Sequence, residues 1–126
     1  MSVEVPSSLI DVARLQVVLR AFASEREWER FHTPKNLAIA LSVEAAELLE
    51  PFQWLTADQS ETICENRIRC ADIEAEMADV LIYLVRLSDV LGVDLNQAVI
   101  AKLAANSRKY PANRVKGSSA KYTEYQ

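Results

Sequence analysis

Four acidic side chains at a regular spacing are the part of this sequence that points to chemistry. Glu44 and Glu47 are three residues apart, and Glu76 and Asp79 repeat that spacing further along the chain. Residues three apart lie on the same face of a helix, so each pair would present two carboxylates in one direction. Hard oxygen ligands without a neighbouring His or Cys favour Mg²⁺, or Mn²⁺, over Zn²⁺.

Both pairs interrupt an apolar stripe, and this sets them apart from ordinary surface glutamates. One predicted helix face carries, in order, Leu37, Ala40, Leu41, Glu44, Glu47 and Leu48. A second predicted face carries Ile73, Glu76, Met77, Val80 and Leu84, with Asp79 beside it. Either pair alone would more often belong to a solvated surface. Two pairs of interior-facing carboxylates repel each other and lose hydration, so the pattern predicts a metal ion that neutralises them.

Helix-forming residues and well-placed breakers predict four long helices around these pairs. The predicted helices run from Ser7 or Ser8 to about Glu27, from Thr33-Pro34 through Glu50, from Glu65 to Leu91, and from Asp94 to about Tyr110. Thr33 and Asp94 are expected to cap helix starts, and Gly92 to end the third helix. Only two glycines and four prolines occur in 126 residues, which favours an all-α fold over an all-β fold. We predict one all-α domain over residues 1–126, a four-helix bundle with its core at about 8–111 and a polar tail at 112–126.

The overall composition argues against several classes of partner. The formal net charge of −4 disfavours nonspecific nucleic-acid binding, which normally needs a basic face. No apolar run approaches the roughly 20 residues that span a bilayer, and no basic-then-apolar leader opens the chain, so no membrane partner is expected. Cys64 and Cys70 form no CxxC pair and are expected to be ordinary thiols of a reducing compartment, so we predict a cytoplasmic protein.

The carboxylate pairs and several aromatic segments, in the same order, resemble the MazG-like superfamily of all-α nucleotide pyrophosphohydrolases. The segments are WERFHTPKN at 28–36, FQW at 52–54, EMADVLIY at 76–83, KYP at 109–111 and KYTE at 121–124. They are most similar to the dCTP pyrophosphatase branch of that superfamily. The resemblance covers about Leu15 to Tyr110. The two carboxylate pairs alone would be a weak pattern, but together with the aromatic segments they are specific.

The resemblance implies a Mg²⁺-dependent enzyme that converts a deoxynucleoside triphosphate into the monophosphate and pyrophosphate. The implied metal ligands are Glu44, Glu47, Glu76 and Asp79. Glu47, or else Glu44, is the candidate catalytic residue that accepts a proton from the attacking water. The preferred substrate would be dCTP or a 5-modified dCTP, and the role would be removal of surplus or noncanonical nucleotides. Related enzymes form homodimers or homotetramers, so a dimer or a dimer of dimers is expected here.

The same resemblance supplies the candidate substrate contacts. The base-site candidates are Trp28, His32, Asn36, Trp54 and Tyr83. The phosphate and sugar candidates are Lys102, Asn106, Arg108, Lys109 and Tyr110. Stacking of a base on an aromatic ring contributes roughly 1–3 kcal/mol, which is why exposed aromatic residues suit this role. One departure concerns Leu19, since members of this branch carry a histidine near that position in the first helix, so the exact base is left open.

Two alternatives fit parts of the same pattern. The first is a non-catalytic metal- or nucleotide-binding helical regulatory protein, which would need neither all four carboxylates nor the aromatic segments. The second is an enzyme of the same superfamily that acts on another substrate, such as dUTP or a phosphoribosyl nucleotide. The tryptophan-containing segments favour the dCTP branch over the second alternative.

Overall fold

The computed structural model describes residues 10–120 and residue 123, and its regular secondary structure consists of helices joined by short turns. The α-helices are α1 (Val12–Glu25), α2 (Pro34–Leu49), α3 (Ala57–Glu61), α4 (Arg67–Leu91), α5 (Leu95–Lys109) and α6 (Ala112–Val115). Three short 3₁₀ helices cover Glu29–Phe31, Glu50–Phe52 and Ile63–Glu65. No β-strand occurs in the described residues, which confirms the all-α class.

The ends of the long helices follow the local signals in the sequence. The Thr33 hydroxyl accepts a hydrogen bond from the Asn36 backbone N–H and caps α2, as predicted. The Asp94 carboxylate caps α5 in the same way, by accepting from the Gln97 N–H. Gly92 ends α4 in the left-handed region at φ 69°, where a residue without a Cβ is favoured.

The start of α1 differs from the prediction. Asp11 caps this helix, because its side chain accepts a hydrogen bond from the Arg14 backbone N–H. The predicted caps, Ser7 and Ser8, lie outside the described residues. At its other end α1 stops at Glu25, and Glu27 adopts a positive φ of 53°, which turns the chain towards the next segment. The predicted polar tail begins with the short helix α6.

The structure corrects the expectation that the two cysteines are free thiols. The 3₁₀ helix Ile63–Glu65 and the first turn of α4 bring the Cα atoms of Cys64 and Cys70 to 4.5 Å, and a disulfide joins them. That distance lies within the roughly 4.4–6.8 Å range of protein disulfides. A separation of six residues does not by itself predict a disulfide. The two cysteines lie close together because the chain turns at Asn66, the residue that caps α4.

Helix α4 is the centre of the first of two compact units, Met1–Val93. Both α2 and α1 pack against α4. The fully packed apolar side chains of this unit are Ala23, Leu37, Ile73 and Val85. The second unit, Asp94–Gln126, contains α5 and α6. The prediction of one domain over the whole chain stays a prediction.

Many large apolar side chains are exposed in the single chain. On α2 they include Ile39 and Val43, and on α4 they include Met77, which is 57% exposed. Exposed apolar surface of this extent is typical of a chain that buries part of its surface against a partner. None of the helices among the described residues has the length and apolarity to cross a membrane.

Candidate metal centre

Helix α2 turns the predicted stripe of apolar and acidic side chains inwards. Its fully or partly buried positions are Leu37, Ala40, Leu41, Glu44, Glu47 and Leu48, and its other residues are exposed. The 3–4 spacing therefore predicted the buried face of this helix correctly. Two glutamates lie on that face, where packing alone would favour apolar residues.

Helix α4 supplies the facing carboxylate, although its stripe is less well predicted. Ile73 is buried, and Glu76 and Asp79 are partly buried. Met77 and Leu84, which the stripe included, are 57% and 38% exposed. Each step along a helix rotates by about 100°, so Met77 points well away from its neighbour Glu76. Within this unit α4 packs against α1, α2 and the 3₁₀ helix Ile63–Glu65.

Three of the four predicted metal ligands come together between α2 and α4. Carboxylate oxygens of Glu44, Glu47 and Glu76 lie within 4.8 Å of one another. Among the described residues, this is the one group of at least three acidic, histidine or cysteine side chains whose ligand atoms lie close enough to share a metal ion. Asp79 lies one turn beyond Glu76 and is outside this group. Its role as a ligand stays a prediction.

The electrostatics of the cluster call for a positive charge. One carboxylate oxygen of Glu44 and one of Glu76 are buried and have no hydrogen-bond partner. Within residues 10–120, no ion pair involves any of the three carboxylates. The neighbouring Glu76, then burial, then Glu47 raise the pKa of Glu44 from the usual 4.5 to about 7. The ionised cluster is thus unfavourable without a cation, and its all-oxygen donor set fits a hard divalent metal.

A depression of about 270 Å³ adjoins the cluster and adds two acidic residues that the sequence analysis missed. It is lined by Glu47, Glu50, Pro51, Asp72, Ala75 and Glu76. Asp72 precedes Glu76 by four residues on α4, a spacing that places both on one face and was available as a signal. Glu50 follows Glu47 by three residues, which is the spacing of the predicted pairs.

The aromatic segment before α2 forms a small cluster around Trp28. The Trp28 ring lies 5.9 Å from the Phe22 ring and 6.1 Å from the His32 ring, measured between centroids. Asn36 supports this segment, because its side-chain amide donates to the Phe31 carbonyl oxygen at 3.0 Å. Trp28 and His32 therefore lie side by side, and their roles as base contacts stay predictions. Asn36 has a structural contact of its own, and its role as a base contact stays a prediction.

The remaining predicted contacts are spread over both units. Trp54 follows the 3₁₀ helix Glu50–Phe52 and is 86% exposed, whereas Tyr83 is partly buried on α4, one turn beyond Asp79. The five phosphate and sugar candidates belong to the second unit: Lys102, Asn106, Arg108 and Lys109 on α5, and Tyr110 at its end. Their roles as substrate contacts stay predictions.

A charged network next to the aromatic cluster was not anticipated from the sequence. Arg86, on α4, is buried and donates from Nη1 to Asp89 at 3.0 Å and from Nε to His32 Nδ1 at 3.1 Å. Arg20, on α1, donates to both oxygens of Asp89, at 3.0 and 2.5 Å. These contacts lower the pKa of Asp89, with the Arg20 hydrogen bond as the largest cause. The available signal was an arginine directly after an apolar run and three residues before an aspartate.

Comparison with known proteins places the cluster in a family. The model of the MazG-like family matches residues 39–125, a range that includes all four predicted metal ligands. The chain belongs to the MazG-like family. The dCTP pyrophosphatase 1 of Homo sapiens is 44% identical over 117 residues, which cover 93% of this chain and 67% of the human protein. The protein of that name from Bos taurus is 42% identical over 117 residues, with 93% and 68% coverage.

A solved structure extends the match to the fold of this MazG-like chain. A crystal structure of a pyrophosphatase from Archaeoglobus fulgidus has a TM-score of 0.75 and 42% sequence identity, and covers 86% of this chain and 99% of that one. The family resemblance and the all-α fold expected from the sequence are thus confirmed. The similarity to curated pyrophosphatases also confirms that this MazG-like protein is an enzyme, a hydrolase of the pyrophosphatase type.

The match to the family model covers less of the site than the match to the mammalian relatives does. The family model begins at residue 39, inside α2, and so covers the carboxylate cluster but not Trp28 or His32. The mammalian dCTP pyrophosphatases match over 93% of the chain, which takes in the aromatic segment 28–36. The match to the dCTP pyrophosphatases therefore spans the aromatic segment, which lies outside the match to the general family model.

Proposed function

We propose that this chain is a Mg²⁺-dependent nucleoside triphosphate pyrophosphohydrolase that converts dCTP, or a 5-modified dCTP, into the monophosphate and pyrophosphate. The cluster of three carboxylates, with buried oxygens that lack partners, is the observation that carries the proposal. Similarity to the dCTP pyrophosphatases over 93% of the chain supports the substrate class. The physiological role that follows is removal of surplus or noncanonical nucleotides.

The carboxylates serve the reaction by binding charge and by moving a proton. Glu44, Glu47 and Glu76, with Asp79 as a fourth ligand, would hold Mg²⁺, which neutralises polyphosphate charge and activates water when bound. Glu47 is the first candidate to accept the proton of the attacking water, and Glu44 is the second. The water oxygen adds to the α-phosphorus, and the bond from that phosphorus to the α–β bridging oxygen breaks. Pyrophosphate leaves with the bridging oxygen.

The aromatic side chains and the basic residues of α5 are proposed to orient the substrate. Trp28, Trp54 and Tyr83 offer ring faces for the base, and His32 and Asn36 offer polar groups for its edge. Lys102, Asn106, Arg108, Lys109 and Tyr110 are the proposed phosphate and sugar contacts. The positive charges of Lys102, Arg108 and Lys109 would complement the polyphosphate, which the acidic cluster alone would repel.

Pyrophosphate release from a panel of dNTPs and NTPs, with Mg²⁺ and with EDTA, tests this function. We expect release to require the metal and to be fastest with dCTP or 5-methyl-dCTP. Glu47→Gln should lower kcat by at least about 100-fold, because it removes a metal ligand and the proposed proton acceptor together. Circular dichroism of the variant should show an intact helical fold.

Glu74→Gln is the matched control. Glu74 is an exposed carboxylate on α4, two residues from Glu76, and it is not part of the cluster. This variant should keep the wild-type rate. An equal loss of kcat in Glu47→Gln and Glu74→Gln would contradict a specific catalytic role for the cluster. A folded wild-type protein that releases no pyrophosphate from any nucleotide would favour the non-catalytic regulatory alternative.

A further inference from the structure

The contact from Arg86 determines which form of His32 the folded protein can hold. A guanidinium has only donors, so the His32 Nδ1 that receives its Nε–H at 3.1 Å must carry a free lone pair. A neutral imidazole with an unprotonated Nδ1 carries its proton on Nε2. The chain therefore presents His32 as a donor at Nε2, and not as a cation or as an acceptor at that atom.

Arg86 is itself held in place before it reaches the imidazole. Its side chain is buried, with 6% of the residue exposed, and its Nη1 is bonded to Asp89. Asp89 is held from its other side by Arg20, so two helices fix the guanidinium. A buried arginine with few alternative rotamers keeps its Nε–H aimed at one acceptor. This rigidity is what a positioning residue requires.

The Nε2–H group of His32 is available to a ligand beside an aromatic ring. Within residues 10–120, the Nε2 atom has no hydrogen-bond partner, and His32 is partly exposed. The Trp28 ring lies 6.1 Å from the imidazole ring and is 42% exposed. An exposed indole face next to an unpaired N–H donor suits a planar ring that carries an acceptor on its edge.

We propose that Arg86 is a positioning residue that fixes His32 as an Nε2–H donor to an acceptor on the pyrimidine edge of the nucleotide. The proposal rests on the proposed function and deepens it. It also gives a physical basis for base choice, because N3 of cytosine is an acceptor whereas N3 of uracil carries a proton. A donor fixed at Nε2 favours the first base and opposes the second.

Nuclear magnetic resonance of ¹⁵N-labelled protein tests the tautomer directly, since His32 is the single histidine of the chain. The wild-type spectrum should show one imidazole with Nε2 protonated and Nδ1 unprotonated. Arg86→Met replaces the Nε atom with a methyl group and should release the imidazole into a mixture of tautomers. Arg86→Gln keeps an N–H donor at the position of Nε and should retain the wild-type tautomer.

Two further measurements connect the tautomer to the substrate. Addition of α,β-imido-dCTP with Mg²⁺ should shift the Nε2 resonance of wild-type protein. In turnover assays, Arg86→Met should lower the kcat/KM preference for dCTP over dUTP about tenfold, mainly through KM, as expected for one lost hydrogen bond. Arg86→Gln should restore most of that preference. Arg20→Met keeps the bond between Arg86 and His32 but removes the contact that holds Asp89, so its preference should lie between those of wild type and Arg86→Met.

The outcomes separate this inference from the function on which it rests. A wild-type imidazole protonated at Nδ1, an Nε2 resonance indifferent to the nucleotide analogue, or equal selectivity in Arg86→Met and Arg86→Gln would each overturn the positioning role. A protein that hydrolyses no nucleotide would contradict the proposed function instead. In that case the tautomer and the response to α,β-imido-dCTP still decide whether Arg86 positions His32 towards a nucleotide.

Discussion

At the scale of single residues, the position of Glu44 is unfavourable for an ionised carboxylate but suited to binding a metal ion. Its carboxyl lies against Glu76 and Glu47 and has a buried oxygen without a hydrogen-bond partner. These neighbours and burial raise its pKa to about 7, so at neutral pH a large share of the metal-free protein carries a proton on Glu44, where free glutamate is ionised. A divalent ion would take the place of that proton.

This shift predicts how the stability of the metal-free protein depends on pH. The pKa of Glu44 is higher in the folded chain than the usual 4.5, so its stabilising contribution is complete below 4.5 and is lost as the pH rises through about 7. In EDTA, the urea midpoint of wild-type protein should fall relative to that of Glu44→Gln between about pH 5 and about pH 8. Parallel curves for the two proteins would contradict this assignment. Excess Mg²⁺ should reduce the fall, because the ion binds the deprotonated form.

Residue spacing predicted Glu44, Glu47 and Glu76 because the signal is local to each helix. Two carboxylates on an otherwise apolar face can be recognised without knowing what packs against it. The network of Arg86 could not be recognised in this way. His32 and Arg86 are 54 positions apart, and their contact depends on how α4 packs beside the residue that follows the 3₁₀ helix Glu29–Phe31. Long-range polar contacts depend on packing geometry that a single sequence does not reveal.

At the scale of elements, the start of α2, the end of α4 and the start of α5 could be predicted from the sequence. The capping residues Thr33, Gly92 and Asp94 act within a single turn and can be recognised locally. The segment between α2 and α4 was harder to predict, since α3 and two 3₁₀ helices have few residues and few internal hydrogen bonds. The disulfide in this segment was missed for the same reason. The proximity of Cys64 and Cys70 depends on a turn that has no strong sequence signal.

Gly92 offers a test of the helix limits. Its φ of 69° disfavours side chains that carry a Cβ, and no atom lies within 4 Å of where a Cβ would be placed. Gly92→Ala should therefore destabilise the fold by about 1 kcal/mol through backbone strain alone. Gly92→Asn should cost less, because asparagine tolerates the left-handed region. Urea denaturation of both variants checks this, and an alanine variant as stable as wild type would contradict the left-handed end of α4.

At the scale of the whole molecule, the relatives differ in length more than in sequence identity. The chain covers 99% of the archaeal pyrophosphatase but 67% of the human dCTP pyrophosphatase 1. Identity is nevertheless similar, at 42% and 44%. The shared part contains the helices that carry the carboxylate cluster, so the additional length of the mammalian proteins lies outside the part that matches this chain.

The exposed apolar side chains predict that the chain associates with itself. Ile39 and Val43 lie one turn apart on the outer side of α2 and are about half exposed. Light scattering should therefore give two or four times the mass of one chain, as a homodimer or homotetramer requires. A monomer at micromolar concentration would contradict this prediction. Val43→Lys, with Lys35→Arg as an exposed control on the same helix, would test whether this side of α2 is covered.

The exposure of Trp54 gives the protein a built-in optical reporter. An indole that is 86% exposed emits at the long wavelengths of hydrated tryptophan, and only one other tryptophan, Trp28, adds to the signal. A base that stacks on Trp54 would exclude water from one ring face and quench the emission. Fluorescence of the unlabelled protein would then follow nucleotide binding continuously, and a Trp28→Phe background would assign the signal to Trp54.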